Sequence, residues 1–486
     1  MYLTTPIYYV NGVPHVGHAY ATVLADALVR WERLRGRPAR LVTGTDEHGA
    51  NVVRAAAAAG LPPAEYADAT AARFRHTWDR LGIGYDAFVR TTSAEHRAVV
   101  RDLLRTVYDA GYVEPGVYNG QYCYPCEAYV SEPVCPVHRR PTEHLAEENY
   151  FFRLSAFSER LGSWLAQPDV VRPVSRRNEA LGWLRAGLVD FSISRSSVDW
   201  GIPLPWDPKH VAYVWFDALG AYVTGAGSGP GAGSGSGWWP GEHLIGKDIL
   251  RFHAIYWPAI LLAAGLAPPR RITVHGFLLT QGEKIAKSGV RGASLDDLLA
   301  RFGPDGLRYH LLRSYPVGPD GDFSVAAATA RYHADLANTL GNLVSRLTAL
   351  VVSRCGGTAP APDPASPLRS AADRAVDTAG AAWDDRRPSD ALAAVWRLVA
   401  ATNGYLVAAE PWHLDAGPAL DRTLGDCLAA LRLVTVLSSP AIPSAAAEIL
   451  RRIGTADAAS LDWSSAVGGT RVARGTPLFP RLSPVW

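Results

Sequence analysis

The alternation of strand-like and helix-like segments over the first sixty residues most constrains the fold of this chain. Residues 2–10 are rich in aromatic and β-branched side chains, which is typical of a buried strand. The loop NGVPHVGH follows, and residues 19–34 carry apolar side chains at helical spacing. A second strand, RLVTGTDEH, ends at Asp46 and leads into an alanine-rich helix at 50–59. This order predicts a parallel α/β sheet that binds ligands at the carboxyl ends of its strands.

The remaining chain divides into three regions. Residues 111–190 contain short segments, clustered cysteines and many aromatics, which indicates an insertion between a first half at 1–110 and a second half at 191–325. In the second half, VDFSIS, HVAYVWF, EHLIG and RITVHGFLL are predicted strands. Residues 326–486 have helical spacing nearly throughout, apart from a Pro/Gly/Ala linker at 356–367, and predict an all-α domain.

Composition excludes several classes of protein. Hydrophobic residues make up 48% of the 486 residues and charged residues 19%, as in ordinary globular proteins and unlike disordered ones. The net charge of +2 excludes a global basic field, although a local basic face remains possible. Because no uncharged apolar run reaches about 18 residues, we expect neither a membrane span nor secretion, and we expect a cytoplasmic protein.

Three of the five cysteines lie close together and predict a metal site. The pattern Cys123-x2-Cys126-x8-Cys135-x2-His138 supplies three thiolates and one imidazole in two pairs. This is the Cys₃His ligand set of a closed, structural zinc site, in which no coordination position stays open for a substrate. Clustered cysteines in a reducing compartment favour a metal over disulfides.

Lysine is rare in this chain, which draws attention to the few lysines that remain. Only four of the 48 basic residues are lysines, and two of them, Lys284 and Lys287, lie in one turn with Ser288. Two ammonium groups on a loop suit a triphosphate whose charge grows as pyrophosphate leaves. The alternative is a solvated, charged turn.

The segment His15-Val16-Gly17-His18 lies between the first strand and the first helix. Helix N-termini attract anions, two imidazoles there can reach phosphate oxygens, and Gly17 allows a nucleotide close to the backbone. The alternative is that both histidines cap the helix or pack against it.

HVGH and KIAKS resemble the HIGH and KMSKS signatures of class I aminoacyl-tRNA synthetases. The blocks TTPIYYVNGVPHVGHAY, LVTGTDEHG, YVWFDAL, HLIGKDIL and HGFLL are similar, in this order, to those of the methionyl-tRNA synthetases. The resemblance covers essentially the whole chain. It implies a Rossmann-like parallel-sheet catalytic domain with a zinc-binding insertion, followed by an all-α anticodon-binding domain. The implied activity is ATP-dependent activation of L-methionine to methionyl-adenylate, with transfer to the 3′-terminal adenosine of tRNA(Met).

The resemblance also implies roles for individual residues. His15, His18, Lys284 and Lys287 would stabilise the charge on the phosphates of Mg²⁺-bound ATP, and Gly246 and Asp248 would contact its ribose. A methionine side chain needs an apolar, polarisable site, and its α-ammonium needs a carboxylate, for which Asp46 is suitably placed at a strand end. The other implied methionine-binding residues are Ile7, Tyr9, Trp215, Ala218, Tyr222, Ile249, Phe252 and His253. Taken singly, each aromatic among them is better explained by core packing than by ligand contact.

The helical domain carries three predicted anticodon-reading residues. Asn342 and Arg346 are one helical turn apart and so share a face, and Trp412 follows a proline. Unpaired bases are read by hydrogen bonds at their edges and by stacking on aromatic or guanidinium planes. The resemblance implies that these three residues read the anticodon, whereas each alone is an ordinary surface or core residue.

One segment departs from the family pattern. KIAKS replaces KMSKS, and Gly289-Val290-Arg291 replaces the usual continuation, which could slow closure of the loop over ATP. Two alternatives follow: an inhibitor-insensitive or pathway-specific paralogue, or a non-catalytic tRNA-binding protein. Because no further C-terminal module follows, we expect a monomer.

Overall fold

The computed structural model describes residues 1–130, 132–135, 139–227, 237–284, 293–455, 460–463 and 467–483. The chain forms two compact units, which are described separately. The sheet unit comprises residues 1–14, 39–78 and 84–277, and the helical unit comprises 15–38, 79–83 and 278–486.

The strands have the following bounds in chain order. They are β1 (Tyr2–Tyr9), β2 (Arg40–Asp46), β3 (Ala87–Arg90), β4 (Val113–Cys123), β5 (Ala128–Val130), β6 (Glu143–Phe152), β7 (Val171–Arg172), β8 (Phe191–Ser192), β9 (Ser194–Arg195), β10 (Val211–Ala212), β11 (Glu242–Gly246), β12 (Arg271–His275), β13 (Leu278–Thr280), β14 (Glu283–Lys284) and β15 (Gly321–Asp322).

The helices follow in the same way. They are α1 (Val16–Leu34), α2 (Ala50–Ala58), α3 (Pro63–Arg80), α4 (Ala94–Asp109), α5 (Ser158–Leu165), α6 (Val174–Arg185), α7 (Val214–Ala226), α8 (Trp257–Ala263), α9 (Leu295–Ser314), α10 (Val325–Arg331), α11 (Asn342–Arg354), α12 (Arg369–Asp384), α13 (Pro388–Ala409), α14 (Pro418–Ser438) and α15 (Pro443–Ile453). Short 3₁₀ turns cover Tyr124–Cys126, Leu154–Phe157 and Lys247–Ile249, and π-helical segments cover Phe252–Tyr256 and Tyr332–Gly341.

A six-stranded parallel sheet forms the centre of the sheet unit. Its strand order is β3-β2-β1-β11-β12-β7, and every neighbouring pair is parallel. The order reverses between β1 and β11, and such a switch point is where open α/β sheets bind ligands. Tyr9 lies opposite Asp46, and Gly246 lies opposite His275, so four strands end at this edge. The predicted parallel α/β sheet is confirmed.

A second, antiparallel sheet lies mostly within the predicted insertion, and its strand β8 follows just after residue 190. Its order is β5-β4-β6-β8, and the long pair β4 and β6 runs from Val113–Phe152 to Tyr122–Glu143. The short strand β7 also lies within 111–190, but it pairs with β12 of the parallel sheet. The predicted boundaries at 110, 190 and 325 stay predictions.

Three predicted strands differ from the structure. VDFSIS supplies only β8 and the first residue of β9. HVAYVWF is a strand only at Val211–Ala212, and helix α7 begins at Val214. The reason is that every residue of α7 is buried, so its apolar run lacks the one-sided pattern that marks a surface helix. RITVHGFLL forms two strands, β12 and β13, because the chain leaves the parallel sheet after His275.

The helical unit confirms the predicted helical C-terminal region. Helix α13 packs against α12, α14 and α9. By length and composition alone α13 could cross a membrane, although a core helix of a soluble protein passes the same test. Arg308 of α9 is fully buried, donates hydrogen bonds to the carbonyls of Leu81, Pro440 and Ala441, and pairs with Asp26 of α1 at 2.6 Å. This buried ion pair fixes α1 against α9.

Candidate functional site

A buried carboxylate lies at the ligand-binding edge of the parallel sheet. Asp46 ends β2, is 2% exposed, and its Oδ1 has no hydrogen-bond partner among the described residues. Burial raises the pKa of Asp46 well above its usual value, and the charges of Asp217 and Glu127 raise it further. An unpaired buried carboxylate oxygen is costly, so this atom is suited to a cationic group of a ligand.

The loop after Asp46 is held rigidly by its neighbours. Arg90 binds the Glu47 carboxylate through two hydrogen bonds of 2.7 and 2.8 Å, and Thr45 donates to it at 2.6 Å. The indole N–H of Trp200 donates to the Glu47 carbonyl at 2.6 Å. These contacts fix the backbone next to Asp46, so its Oδ1 has little freedom to reach another partner.

Five predicted methionine-binding residues form an aromatic cluster: Tyr9, Trp215, Tyr222, Phe252 and His253. Trp215 stacks on Phe252 with ring centroids 3.8 Å apart, and Tyr9 meets Trp215 edge-on at 6.3 Å. Helix α7 carries Trp215 and Tyr222 seven residues apart, hence on one face. The charge of Asp46 adds to burial in raising the pKa of Tyr9 and of Tyr222, which places the carboxylate within electrostatic range of the cluster.

The three other predicted pocket residues lie around this cluster in different ways. Ala218 is buried on α7, three residues after Trp215, and Ile249 packs against the same hydrophobic core. Ile7 instead packs against a separate group of core residues around Val42 and Val89. The described contacts thus join Ile249, but not Ile7, to the core that contains Trp215.

His253 is held as a neutral ring with a defined tautomer. Its Nδ1 lies 2.9 Å from the Ile249 carbonyl, which can only accept, so Nδ1 carries the proton. Its Nε2 is therefore an acceptor, and the Tyr222 hydroxyl donates to it at 2.7 Å. Burial lowers the pKa of His253 to about 4. The cluster is thus uncharged at neutral pH, as a thioether requires.

We expect acid to destabilise the protein partly through His253. Its folded pKa of about 4 lies below the unfolded value of 6.5, so this contribution is complete above pH 6.5 and is lost as the pH falls toward 4. Between pH 7.5 and 5.0 the free energy of unfolding should fall by about 2 kcal/mol from this residue. Urea denaturation at both pH values measures the fall. His253→Gln, which does not titrate, should show a correspondingly smaller fall, and an equal fall would contradict the assignment.

The end of β11 carries the two predicted ribose-binding residues. Asp248 lies in the 3₁₀ turn after the strand, and its carboxylate turns back over Gly246, where an added Cβ would meet Asp248 Oδ1 at 2.8 Å. A larger residue at position 246 would therefore displace the Asp248 carboxylate. Because Glu242–Gly246 is a strand, no glycine-rich loop precedes Lys247, and a P-loop is excluded.

The two histidines of HVGH cap the start of helix α1, which was one of the two interpretations of this segment. His15 Nδ1 accepts from the Gly17 amide at 3.1 Å, and His18 Nδ1 accepts from the His15 amide at 3.3 Å. The rings stack with centroids 3.7 Å apart. Because each Nδ1 accepts, the proton of each neutral ring lies on Nε2. An added Cβ at Gly17 would lie 2.9 Å from His15 Cε1, so a larger residue here would displace the His15 ring.

The second phosphate motif falls mostly outside the described residues. Lys284 ends β14, whose backbone pairs with Leu279 of β13. Lys287 and Ser288 lie outside the described residues, so their proposed ATP contacts stay predictions.

Three cysteines come together in a group whose geometry is suited to a metal ion. The sulfur atoms of Cys123, Cys126 and Cys135 all lie within 4.8 Å of one another, and those of Cys126 and Cys135 are 3.6 Å apart. Tetrahedral zinc with Zn–S bonds of about 2.3 Å requires sulfur atoms about 3.8 Å apart, which fits this arrangement. The fourth predicted ligand, His138, lies outside the described residues.

The cysteine knuckle, residues Cys123–Cys135, contacts the aromatic cluster directly, and Glu127, which the sequence did not single out, joins it to α2. The Trp215 indole N–H donates to the Cys126 carbonyl at 3.4 Å. The buried Glu127 carboxylate accepts from the backbone N–H of Asn51 at 2.8 Å and from the Tyr122 hydroxyl at 2.7 Å. Asn51 lies near the start of α2. The knuckle therefore braces both Trp215 and the helix that follows the Asp46 loop.

Sequence reasoning also missed buried polar pairs whose members are distant in the chain. Arg195 and Glu147 form an ion pair at 2.6 Å, and each is about 4% exposed. Asp217 binds His48 and His96 at 2.6 and 2.7 Å. Asp217 and His48 did lie in the quoted blocks YVWFDAL and LVTGTDEHG, but only the tertiary fold pairs them.

In the helical unit, the predicted anticodon-reading residues share one surface. Asn342 and Arg346 are exposed on α11, and the Arg346 guanidinium lies over the Trp412 ring at 5.7 Å. Trp412 is 37% exposed. Arg354 donates to the carbonyls of Trp412 and Leu414 and so anchors their loop, a role that the sequence did not reveal. An exposed indole beside a guanidinium suits base stacking.

Family models cover most of the chain. A model described as tRNA synthetases class I (M) matches residues 1–139 and 128–348. A second, described as the anticodon binding domain of methionyl tRNA ligase, matches residues 370–476.

Individual relatives are similar over nearly their full length. Methionine–tRNA ligase of Streptomyces coelicolor is 41% identical over 99% of this chain and 96% of its own. That of Synechocystis is 42% identical over 93% of this chain and 89% of its own. The structure of Mycobacterium tuberculosis methionyl-tRNA synthetase in complex with methionyl-adenylate superposes with a TM-score of 0.94, at 38% identity and 99% coverage of both chains.

Proposed function

Because this chain belongs to the methionyl-tRNA synthetase family and is a methionine–tRNA ligase, we propose that its aromatic cluster binds the thioether of L-methionine and that Asp46 binds the α-ammonium. The observation that carries this proposal is the unpaired, buried Oδ1 of Asp46 within electrostatic range of an uncharged aromatic cluster. A buried cation and a buried carboxylate compensate each other's desolvation.

The chemistry needs no nucleophilic side chain from the protein. The methionine carboxylate attacks the α-phosphate of ATP, an O–P bond forms, and pyrophosphate leaves with the electrons of the broken bond. A hydroxyl of the 3′-terminal adenosine of the tRNA then attacks the acyl carbon of the adenylate, an ester bond forms, and AMP leaves with the electrons of the broken bond. Catalysis therefore consists of positioning and of stabilising charge on the phosphates.

We assign the phosphate contacts to His15, His18, Lys284 and Lys287, with Ser288 beside them. The capping hydrogen bonds support this role for the histidines, because they fix the tautomer in which each Nε2–H is a donor. Gly246 and Asp248 would bind the ribose, and ATP would enter as its Mg²⁺ complex.

Zinc would be held by Cys123, Cys126, Cys135 and His138. When bound it would supply structural cross-linking of the knuckle, with no open position for chemistry. The contacts of Trp215 with the Cys126 carbonyl and of Glu127 with α2 would pass this rigidity to the methionine site.

We propose that Asn342, Arg346 and Trp412 read the CAU anticodon. Trp412→Ala should lower aminoacylation of tRNA(Met) by about 5- to 150-fold, since stacking of one base contributes about 1–3 kcal/mol. Methionine-dependent ATP–pyrophosphate exchange, which needs no tRNA, should stay at the wild-type level. The exposed Val407→Ala is the matched control, because it removes surface in the same unit without an aromatic plane. Equal losses in both assays would contradict an anticodon role.

The proposed function is tested by ATP–pyrophosphate exchange with each of the twenty amino acids on the zinc-loaded protein. We expect exchange with methionine alone, followed by charging of tRNA(Met). Exchange with another amino acid would favour the pathway-specific paralogue. Absence of exchange, with tRNA binding retained, would favour the non-catalytic alternative and direct attention to the altered loop after Lys284. Action as a cytoplasmic monomer stays a prediction.

A further inference from the structure

A single buried carboxylate connects the two parts of the proposed methionine site. Asp217 lies on α7 between Trp215 and Ala218, and its side chain is fully buried. Charged groups are buried in this way only when they are paired. Its two oxygens each accept one hydrogen bond from an imidazole, at 2.6 Å from His48 Nδ1 and at 2.7 Å from His96 Nε2.

The two imidazoles belong to different elements. His48 lies two residues after Asp46 on the loop that follows β2, and His96 lies in the first turn of α4. His96 contacts α7 a second time, because its Nδ1 lies 3.0 Å from the Thr224 hydroxyl. Asp217 therefore ties α7 to the loop that carries Asp46, the proposed partner of the ammonium group. Helix α7 carries Trp215 and Tyr222 of the aromatic cluster, which together are called the aromatic wall.

The protonation states follow from these contacts. Burial alone would raise the pKa of Asp217, but the charges and hydrogen bonds of His48 and His96 lower it to about 2. The carboxylate is ionised and accepts, so His48 carries a proton on Nδ1. His48 Nε2 is buried without a partner in the described part of the chain, and the ring packs edge-on against Trp200 at 5.5 Å. The contact with Asp217 is thus the polar anchor of this ring.

We propose that Asp217 is a positioning residue that acts through His48 to hold Asp46 in register with the aromatic wall on α7. The inference rests on the proposed methionine site. It assigns Asp217 no contact with the substrate. A ligand that contacts both the Asp46 carboxylate and the aromatic wall depends on the spacing between them. A ligand that uses the wall alone does not.

The test compares two ligands on Asp217→Asn, a change that keeps the shape and removes the charge. The dissociation constant of L-methionine should rise at least tenfold, and so should its KM in pyrophosphate exchange, with a smaller change in kcat. The inhibition constant of 4-(methylthio)butanoate, which lacks the amino group, should change less than threefold. Asp190→Asn makes the same chemical change at an exposed site in the same unit and should leave both constants unchanged.

A double-mutant cycle tests whether Asp217 acts through His48. His48→Gln should give a loss of similar size, and combining it with Asp217→Asn should add little. If Asp217→Asn folds poorly, the same two ligands can be compared on His48→Gln. Additive effects, or equal weakening of both ligands by Asp217→Asn, would overturn the inference and leave Asp217 a purely structural residue.

Asp46→Asn separates this inference from the function on which it rests. If Asp46→Asn weakens methionine binding and Asp217→Asn does not, the positioning role alone is overturned. If Asp46→Asn leaves methionine binding unchanged, the proposed ammonium site fails and the positioning role fails with it.

Discussion

Replacing Asp46 by asparagine should lower kcat/KM for methionine in ATP–pyrophosphate exchange by at least about 30-fold without destabilising the free protein. Asparagine keeps the shape but leaves the substrate ammonium without a buried counter-charge, and losing one partner of such a pair costs about 2–5 kcal/mol. Isothermal titration with methionine, beside the exchange assay, measures the loss directly.

The stability of the same variant provides a second, independent readout. Burial raises the folded pKa of Asp46, so the folded state holds its proton more tightly than the unfolded state. The contribution of the Asp46 side chain to stability is therefore lost as the pH rises through its folded pKa. Asparagine stays neutral at every pH, so the variant does not undergo this loss. At pH 8 the variant should unfold at a temperature equal to or above that of the wild type.

Asp68→Asn is the matched control for Asp46. Its carboxylate is mostly exposed and pairs with Arg90 at the surface, so its removal should change neither activity nor stability by more than about 1 kcal/mol. If Asp46→Asn lowered the unfolding temperature in parallel with activity, the loss would come from packing, and the ammonium assignment would be wrong.

Loss of the metal is the second change for which we expect a large effect. Cys135→Ser should abolish zinc binding and lower the free energy of unfolding of the insertion by at least about 3 kcal/mol, because metal binding to a closed site is folding energy. Zinc analysis gives the stoichiometry. Hydrogen exchange should rise over β4–β6 and stay unchanged over α12–α14.

Cys355→Ser is the control for this experiment, since Cys355 lies in the helical unit and outside the cysteine group. It should keep one zinc ion per chain. Removing zinc from the wild type with a chelator gives the same comparison without a substitution. Retention of one tightly bound zinc by Cys135→Ser would refute the ligand assignment, and unchanged exchange in β4–β6 after chelation would refute the structural role.

The parallel sheet could be predicted from the sequence because its strands are buried on both faces and are bounded by clear turns. β1, β2 and β11 lie where the apolar runs place them. Helix α7 was predicted as a strand in part, because a helix buried on all sides has no polar face to give a 3.6-residue period. Burial thus made the strands easy to recognise and this helix difficult.

The candidate site was predictable to the extent that single residues carry its chemistry. Asp46 could be placed because a carboxylate at a strand end is visible in sequence, and the cysteine knuckle because its ligands are locally spaced. The contacts among Asp217, His48 and His96 span more than a hundred residues, and no local pattern encodes them. The positions that hold the site in place therefore required the fold.

The complete burial of α7 has a consequence for the evolution of amino-acid specificity. Trp215 and Tyr222 belong to the same packed core as Phe216, Leu219 and Val223. A substitution that reshapes the proposed substrate contact also leaves a void or an overlap in that core, and such changes commonly cost about 1–5 kcal/mol. Altering which amino acid is accepted therefore draws on the stability margin of the protein, so compensating core substitutions should accompany any variant with a new substrate.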